Sequence, residues 1–339
     1  MIRGRGTVRI EVLNDASRSS AEMARDVRAG LLSVPKDLSP WPKYFYDERG
    51  SELFEEITAL PEYYQARAEL SILRETADEI VERARCRELI ELGSGSASKT
   101  HVLLDTMRNT DGRSGGAVRY VPVDVSESAL RESAERLLEE YPGLEISGFV
   151  GDFDRSLGRL LGRPGDRGRL VIFLGGTFGN FTPQRRRSFL GELRAGLREG
   201  DHLLLGVDIV KDARTLVAAY DDGAGVTARF NKNLLEVLNE RLGGEFCPDL
   251  FVHRAVYNPR ERRIEMWLFS EVEQKVEIAD LGLEANFGAG EGMRTEISAK
   301  FTREEVEQMF DEAGLALLDW RMDGLGLYGL ALGGPRKVK

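Results

Sequence analysis

A chain of 339 residues with 42% hydrophobic and 31% charged residues can bury a substantial core and reads as an ordinary globular protein of one large or two smaller domains. Its 47 Lys and Arg against 57 Asp and Glu give a formal net charge of -10, which disfavours nucleic acid as a partner because that affinity rests on cations against phosphates; Arg185, Arg186 and Arg187 read as a solvated helix face. No run reaches the ~20 apolar residues of a membrane helix, the opening MIRGRGTVRIEVLND has no apolar signal core, and Cys86, Cys247, His101, His202 and His253 are too scattered for a disulfide or a metal site, so a reducing, cytoplasmic setting without membrane or metal is expected.

Residues 8 to 12 alternate like a short strand, and Ala21 to Leu32 reads as an amphipathic helix ending before Pro35. The segment from Lys36 to Ala68 is rich in aromatics and predicts a helix from about Ser51 to Ala59, with Ser51 as its N-cap. A helical pattern from Glu69 to Ala84 leads into the apolar strand Leu89 to Leu92, which breaks into Gly93, Ser94, Gly95 and Ser96 before a helix from Ser98 onward. Glycine in such a turn takes positive φ and lets a ligand touch backbone, so a small cofactor is expected there. The dinucleotide pattern G-x-G-x-x-G fails, because Ser98 stands at its third glycine; the P-loop pattern fails because the glycine before Lys99 and Thr100 is absent, and Glu91 would set a second negative charge beside a phosphate. Glu91, Gly93 and Gly95 instead resemble the first motif of class I S-adenosylmethionine-dependent methyltransferases.

The strand 119 to 123 ends in Asp124, where a carboxylate can accept from both ribose hydroxyls; the same residue also reads as a cap for the helix that follows. A helix from Ser128 to Glu140 and a strand from Leu144 to Val150 end in Asp152 and Phe153, which suit an adenine amine and ring or, equally, a surface aspartate and a core phenylalanine. The apolar strand 169 to 174 opens into GGTFGNF, placing Asn180 in the crevice at the strand ends with Glu91, Asp124 and Asp152. A helix (183 to 198) and a strand (201 to 208) continue the βα alternation of a parallel, doubly wound α/β sheet. The rhythm then stops. Helices 212 to 219 and 231 to 242 precede antiparallel strands 251 to 258, 263 to 269 and 274 to 278, and from Thr302 a helix and strands 315 to 322 and 327 to 332 close the sheet. The division expected is a cofactor domain of 68–210 and 301–339, with an α+β substrate domain of 1–67 and 211–300.

Several segments, in order and over almost the whole chain, resemble the histidine-specific Nα-methyltransferases of ergothioneine biosynthesis: YDERGSELFEEITALPEYYQARAE (46 to 69), ELGSGSASKT (91 to 100), VDVSESAL (123 to 130), GDFD (151 to 154), FLGGTFGNFTP (173 to 183), the run 203 to 235, RRIEMWL (262 to 268) and MRTEISAKF (293 to 301). The resemblance implies a Rossmann-like class I methyltransferase domain plus a substrate domain, and a monomer that carries three methyl groups from S-adenosylmethionine to the α-amino group of L-histidine, giving hercynine. It implies cofactor contacts at Gly93, Lys99, Asp124, Asp152 and Phe153. It places the substrate carboxylate on Asn180 and Tyr220, Tyr63 beside the substrate, Tyr46 near the reacting amine, the imidazole on Glu296 and Ser298, and Met266 lining that pocket. Without it, Tyr63 and Tyr64 read as a core pair, Glu296 as a strand-edge charge, Tyr220 as a helix-face residue and Lys99 as an exposed lysine. One departure stands where GSTIGN is expected: Gly176 and Phe178 take the second and fourth places, which bears on packing beneath the site. The alternatives are a relative acting on another amino acid, such as an indole-bearing one, and a binding protein without turnover; a dinucleotide oxidoreductase is opposed by the missing glycine.

Overall fold

Five apolar runs, Glu88–Leu92, Arg119–Asp124, Glu145–Val150, Arg169–Phe173 and His202–Asp208, alternate with helices, and strands so separated pair in parallel through crossovers that cover both faces of a sheet. In the computed structural model, which describes residues 7–13, 16–95, 97, 99–111, 118–163 and 168–336, these runs are adjacent strands. The eight-stranded sheet has the order Thr7–Val12, Glu145–Val150, Arg119–Asp124, Glu88–Leu92, Arg169–Phe173, His202–Asp208, Tyr328–Pro335, Leu315–Met322. Only Tyr328–Pro335 runs against its neighbours. The order reverses at Glu88–Leu92, since the next two strands are added on one side and Arg169–Phe173 on the other. Ligands bind such a sheet in the crevice at this switch point, here between the turns after Leu92 and Phe173. The fold is that of a class I methyltransferase.

Both faces are covered, which is why the central strands are apolar without alternation. Leu89, Tyr120, Ile146 and Leu170 pack under the helices Tyr64–Ala84, Thr100–Asp111 and Glu127–Glu140. Ile90, Val121, Phe149 and Val171 face Phe153–Leu161, Pro183–Gly196 and Arg303–Glu312. A third core joins Val27, Phe45, Leu53 and Tyr63 to Phe230, Leu235, Ile264 and Met293. It rests on the helix Val226–Leu242 and a four-stranded sheet ordered Lys36–Asp37, Gly292–Ala299, Arg263–Ser270, Phe251–Asn258. The helix Tyr64–Ala84 passes from this core to the large sheet at Ala68.

Several sequence expectations are corrected. Thr7–Val12 pairs in parallel with Glu145–Val150, so the start of the 1–67 segment belongs to the large sheet rather than to a substrate domain. The helix Glu48–Ala59 begins before Ser51, because Asp47 caps it by accepting from Gly50 N at 2.7 Å. Asp222 takes the amides of Val226 and Thr227 at 2.9 and 2.7 Å, which starts the next helix at Val226 rather than at Asn231. Gly292–Ala299 is an inner strand, so Glu296 is no strand-edge charge; it is 6% exposed. Among the described residues no helix is long and apolar enough to cross a membrane, and no group of three or more His, Cys, Asp or Glu side chains is placed to hold a metal ion.

Candidate active site

Gly93 and Gly95 have φ of 73° and 47°, and a side chain built on either would meet nothing within 4 Å. The turn therefore offers bare backbone to open space, as a ligand in van der Waals contact requires. Asp124 ends the neighbouring strand and accepts from Gly95 N at 2.8 Å and Ser126 N at 2.9 Å; burial raises its pKa against the pull of those amides. The cap of Glu127–Glu140 is Ser126. Glu91 turns to Thr100 Oγ1 at 2.6 Å and to the Tyr120 hydroxyl, so it braces the turn instead of lining the crevice, and burial pushes it up to about 7.

Lys99 is no exposed helix lysine. Its ammonium pairs with Glu69, whose side chain is 0% exposed and accepts from Gly175 N at 3.0 Å and Tyr328 OH at 2.9 Å. Glu69 thus ties the two crevice turns to the Tyr64–Ala84 helix. Gly206 makes the approach possible, since a Cβ there would lie 2.1 Å from Glu69 Oε1. Asp152 is held by Lys43 at 2.9 Å, and Lys43 also meets Glu22 at 2.7 Å. The Phe153 ring packs 5.2 Å from Phe173 and 6.2 Å from Phe189, so its contacts are those of the core reading.

The other wall of the crevice comes from the third core. A β-bulge at Thr295 shifts the register of Gly292–Ala299 so that Glu296 lies opposite Met266. A bulge of this kind re-aims the side chains that follow it. Ser298 Oγ lies 2.8 Å from Tyr220 OH, and the Tyr220 ring meets Tyr63 edge-on at 6.3 Å. Tyr46 packs edge-on against Phe54 at 5.6 Å and Phe230 at 5.8 Å. Burial, and then the Glu296 carboxylate, hold the Tyr46 phenol neutral; for Tyr63 the order is burial, Tyr220, Glu296. The turn Thr177–Asn180 is pressed onto this strand, because a Cβ at Gly179 would stand 2.8 Å from Ala299 O and 3.5 Å from Ser298 Oγ. That contact brings Asn180 to the same wall. Beneath it Phe178 is buried against Phe301 at 5.6 Å and Phe181 at 6.2 Å, which is where the departure in the GGTFGN segment is absorbed.

Glu296 is the chemically exposed member of this group. Burial pushes its pKa up to about 7, opposed by the charge of Lys300, and no hydrogen-bond partner meets its carboxylate among the described residues. Its oxygens are not among the fully buried polar atoms left without a partner, so they stay open to a donor that a ligand brings. The sequence reading missed Lys300, Asp208, Lys211 and Tyr64, which form a single network behind Ser298. Asp208 accepts from Tyr64 OH at 2.8 Å and from Lys300 Nζ at 2.8 Å, and pairs with Lys211. Burial would raise Asp208, but Lys300 and Lys211 outweigh it and hold the carboxyl below its ordinary value. Burial lowers Lys211 to about 8 against the pull of Asp208. A charge inside an apolar run, as in GVDIV and ISAKF, is the signal that could have found them.

Residues 23–333 match the family described as histidine-specific methyltransferase, SAM-dependent. The chain belongs to the S-adenosylmethionine-dependent, histidine-specific methyltransferases. It is 48% identical to the histidine N-alpha-methyltransferase of Mycolicibacterium smegmatis, over 94% of this chain and 96% of that protein. It is 45% identical to the protein of the same name from Mycobacterium tuberculosis, over 96% and 99%. The ergothioneine biosynthesis protein 1 of Schizosaccharomyces pombe is 33% identical over 62% of this chain and 29% of its own length. In this methyltransferase the turn after Phe173 meets residues of both sides, since a Cβ at Gly175 would stand 3.9 Å from Lys99 Nζ and one at Gly179 3.5 Å from Ser298 Oγ.

Proposed function

We propose that the chain methylates the α-amino group of L-histidine three times at the expense of S-adenosylmethionine, giving hercynine for ergothioneine biosynthesis, as a cytoplasmic monomer with an α+β substrate domain built from residues 16–67 and 211–300. The observation that carries the reading is Glu296, a residue 6% exposed whose carboxylate takes no donor from the described residues, two residues from the Ser298 hydroxyl and opposite Met266. An imidazole has two ring nitrogens, so a carboxylate and a hydroxyl can each take one, whereas an indole has a single N–H and greater bulk. Neither cysteine is in a disulfide and Cys247 is exposed, which suits a reducing compartment.

The bound co-substrate would supply a sulfonium methyl carbon, to which the deprotonated amine bonds in line while the carbon–sulfur bond breaks and a neutral thioether leaves. The open turn at Gly93 and Gly95 and the half-buried Asp124 carboxylate fit an adenosine ligand, with Asp124 on the ribose, Lys99 at the turn, and Asp152 and Phe153 at the adenine end. Tyr46, Tyr63, Asn180 and Tyr220 hold the amino acid, Asn180 and Tyr220 at its carboxylate and Tyr46 beside the amine. A partly desolvated amine gives up its proton more readily, and orientation supplies much of the remaining rate. The Asp124→Ala variant is expected to weaken S-adenosylmethionine binding by about 1–3 kcal/mol while histidine affinity stays as it was. Calorimetric titration checks this, and unchanged cofactor affinity would remove Asp124 from the ribose.

Mass spectrometry of each common amino acid incubated separately with the purified chain and S-adenosylmethionine tests the function. A gain of three methyls on histidine alone is the expected result. Methylation of another amino acid would overturn the imidazole pocket, and binding of both ligands without transfer would favour the binding-protein alternative.

A further inference from the structure

Lys300 is a lysine with a side chain 0% exposed, at the end of the Gly292–Ala299 strand. An ammonium has three N–H donors and no acceptor. These donors meet Asp208 Oδ2 at 2.8 Å, Ser298 Oγ at 2.9 Å and Tyr220 OH at 3.0 Å. All three are spent inside the protein, so none remains for a ligand. Asp208 is itself held by Lys211 and by Tyr64 OH at 2.8 Å, which gives the ammonium a fixed anchor.

The consequence lies in the hydroxyl protons. Ser298 Oγ and Tyr220 OH are 2.8 Å apart and share one hydrogen bond, which uses one of their two protons. Each oxygen also accepts from Lys300. Gln65 also donates to the Tyr220 hydroxyl, so with Lys300 it fills that oxygen and Tyr220 gives its proton to Ser298. Ser298 then accepts from Tyr220 and Lys300 and is left with its own proton to offer a ligand in a set direction. Without the ammonium both oxygens would regain a lone pair and the freedom to rotate.

Lys300 also bears on Glu296, whose carboxylate lies further along the same strand and feels no other cation strongly. The Glu296 charge bears on the phenols of Tyr46, Tyr63 and Tyr220, of which Tyr46 also feels Asp124 and Tyr63 also feels Asp208 and Glu69. Arg263, Glu265, Arg294 and Asp37 pair with one another on the opposite side of the strand.

We propose that Lys300, anchored on Asp208, is a positioning residue of the amino-acid pocket: it sets the directions in which Ser298 and Tyr220 donate and accept. The inference rests on the histidine reading above. Lys300→Met keeps the stem and removes the charge, and Asp208 retains Lys211 and Tyr64 in the variant. Histidine affinity, measured calorimetrically, is expected to fall about tenfold or more, the loss of a charge-assisted contact, while S-adenosylmethionine affinity stays within about twofold. The acid limb of histidine affinity is expected to move to higher pH in the variant, because a buried carboxylate without its cation binds a proton more tightly. Histidine's own titration is common to both proteins and drops out of the comparison. Ser298→Ala added to Lys300→Met is expected to cost less than the two single losses combined, since one acts through the other. Unchanged histidine affinity with an unmoved acid limb would overturn the proposal, as would an equal fall in affinity for both ligands, which marks a packing role. If Lys300→Met fails to fold, Lys300→Gln carries the same test of the acid limb. A wild-type protein that binds no histidine overturns the histidine reading itself.

Discussion

Glu69→Ala is expected to lower the folding stability of this methyltransferase by about 3–5 kcal/mol, the cost of breaking a buried ion pair by removing one partner. The side chain is 0% exposed and accepts from Lys99, from Gly175 N at 3.0 Å and from Tyr328 OH at 2.9 Å. Alanine leaves all three donors behind, and the Tyr328 hydroxyl among them lies where water does not reach. Lys99 is 21% exposed and can rehydrate in part, which points to the lower end of the range. Glu69→Gln retains an oxygen acceptor and loses the charge, so it should cost roughly 1–3 kcal/mol. Urea denaturation at neutral pH measures both. A loss below about 1 kcal/mol for alanine would show that the Glu69 hub holds the two crevice turns in place without stabilising the fold.

Glu296→Gln is expected to weaken histidine binding by about 1.5–3 kcal/mol, the range for a hydrogen bond to a charged group, which is roughly a tenfold to hundredfold loss in affinity. It also carries opposite signs for binding and for stability. Burial raises this carboxyl from 4.5 to about 7, so the folded protein binds the proton more tightly than the unfolded chain. The contribution to stability is fully present below pH 4.5 and is lost as pH rises through about 7. At about 1.4 kcal/mol per unit the penalty above pH 7 is on the order of 3 kcal/mol. Histidine affinity runs the other way in the wild type, rising through the same window as the carboxylate forms. The glutamine variant should therefore melt higher than the wild type at pH 8, bind histidine less well, and lack the acid limb that Glu296 contributes. Equal histidine affinity in the two proteins would take Glu296 out of the pocket. A site that trades stability for a waiting acceptor is a usual feature of functional residues.

Much of the proposed cofactor side was open to reading from sequence because its parts are local. Gly93 and Gly95 follow an apolar strand directly, and Asp124 ends the next one, so βα alternation alone brings them to one crevice. Glu91 was misplaced by the same logic. Its position at a strand end points to the crevice, but Thr100 and Tyr120 offer it two hydroxyl donors below the turn, and a buried carboxylate goes where its donors are. Phe153 meets Phe173, Phe181 and Phe189 from three separate segments and stays partly exposed, so the core contact and the proposed adenine contact are compatible.

The wall proposed to hold the amino acid was reached by resemblance and not by spacing. Tyr220 and Ser298 bond across 78 residues, and no periodicity in either segment announces the other. By itself the sequence determined what short-range physics decides: the order of strands and helices, the glycine turn, the breakdown of the βα rhythm near residue 211, and the absence of a run long enough to cross a membrane. Tertiary structure alone decided which charges are buried together. Glu69 with Lys99, and Asp208 with Lys300 and Lys211, are ordinary surface residue types in the linear chain. Each is tolerable in the interior only because a partner from a distant segment arrives beside it, and that depends on the packing of all three cores at once.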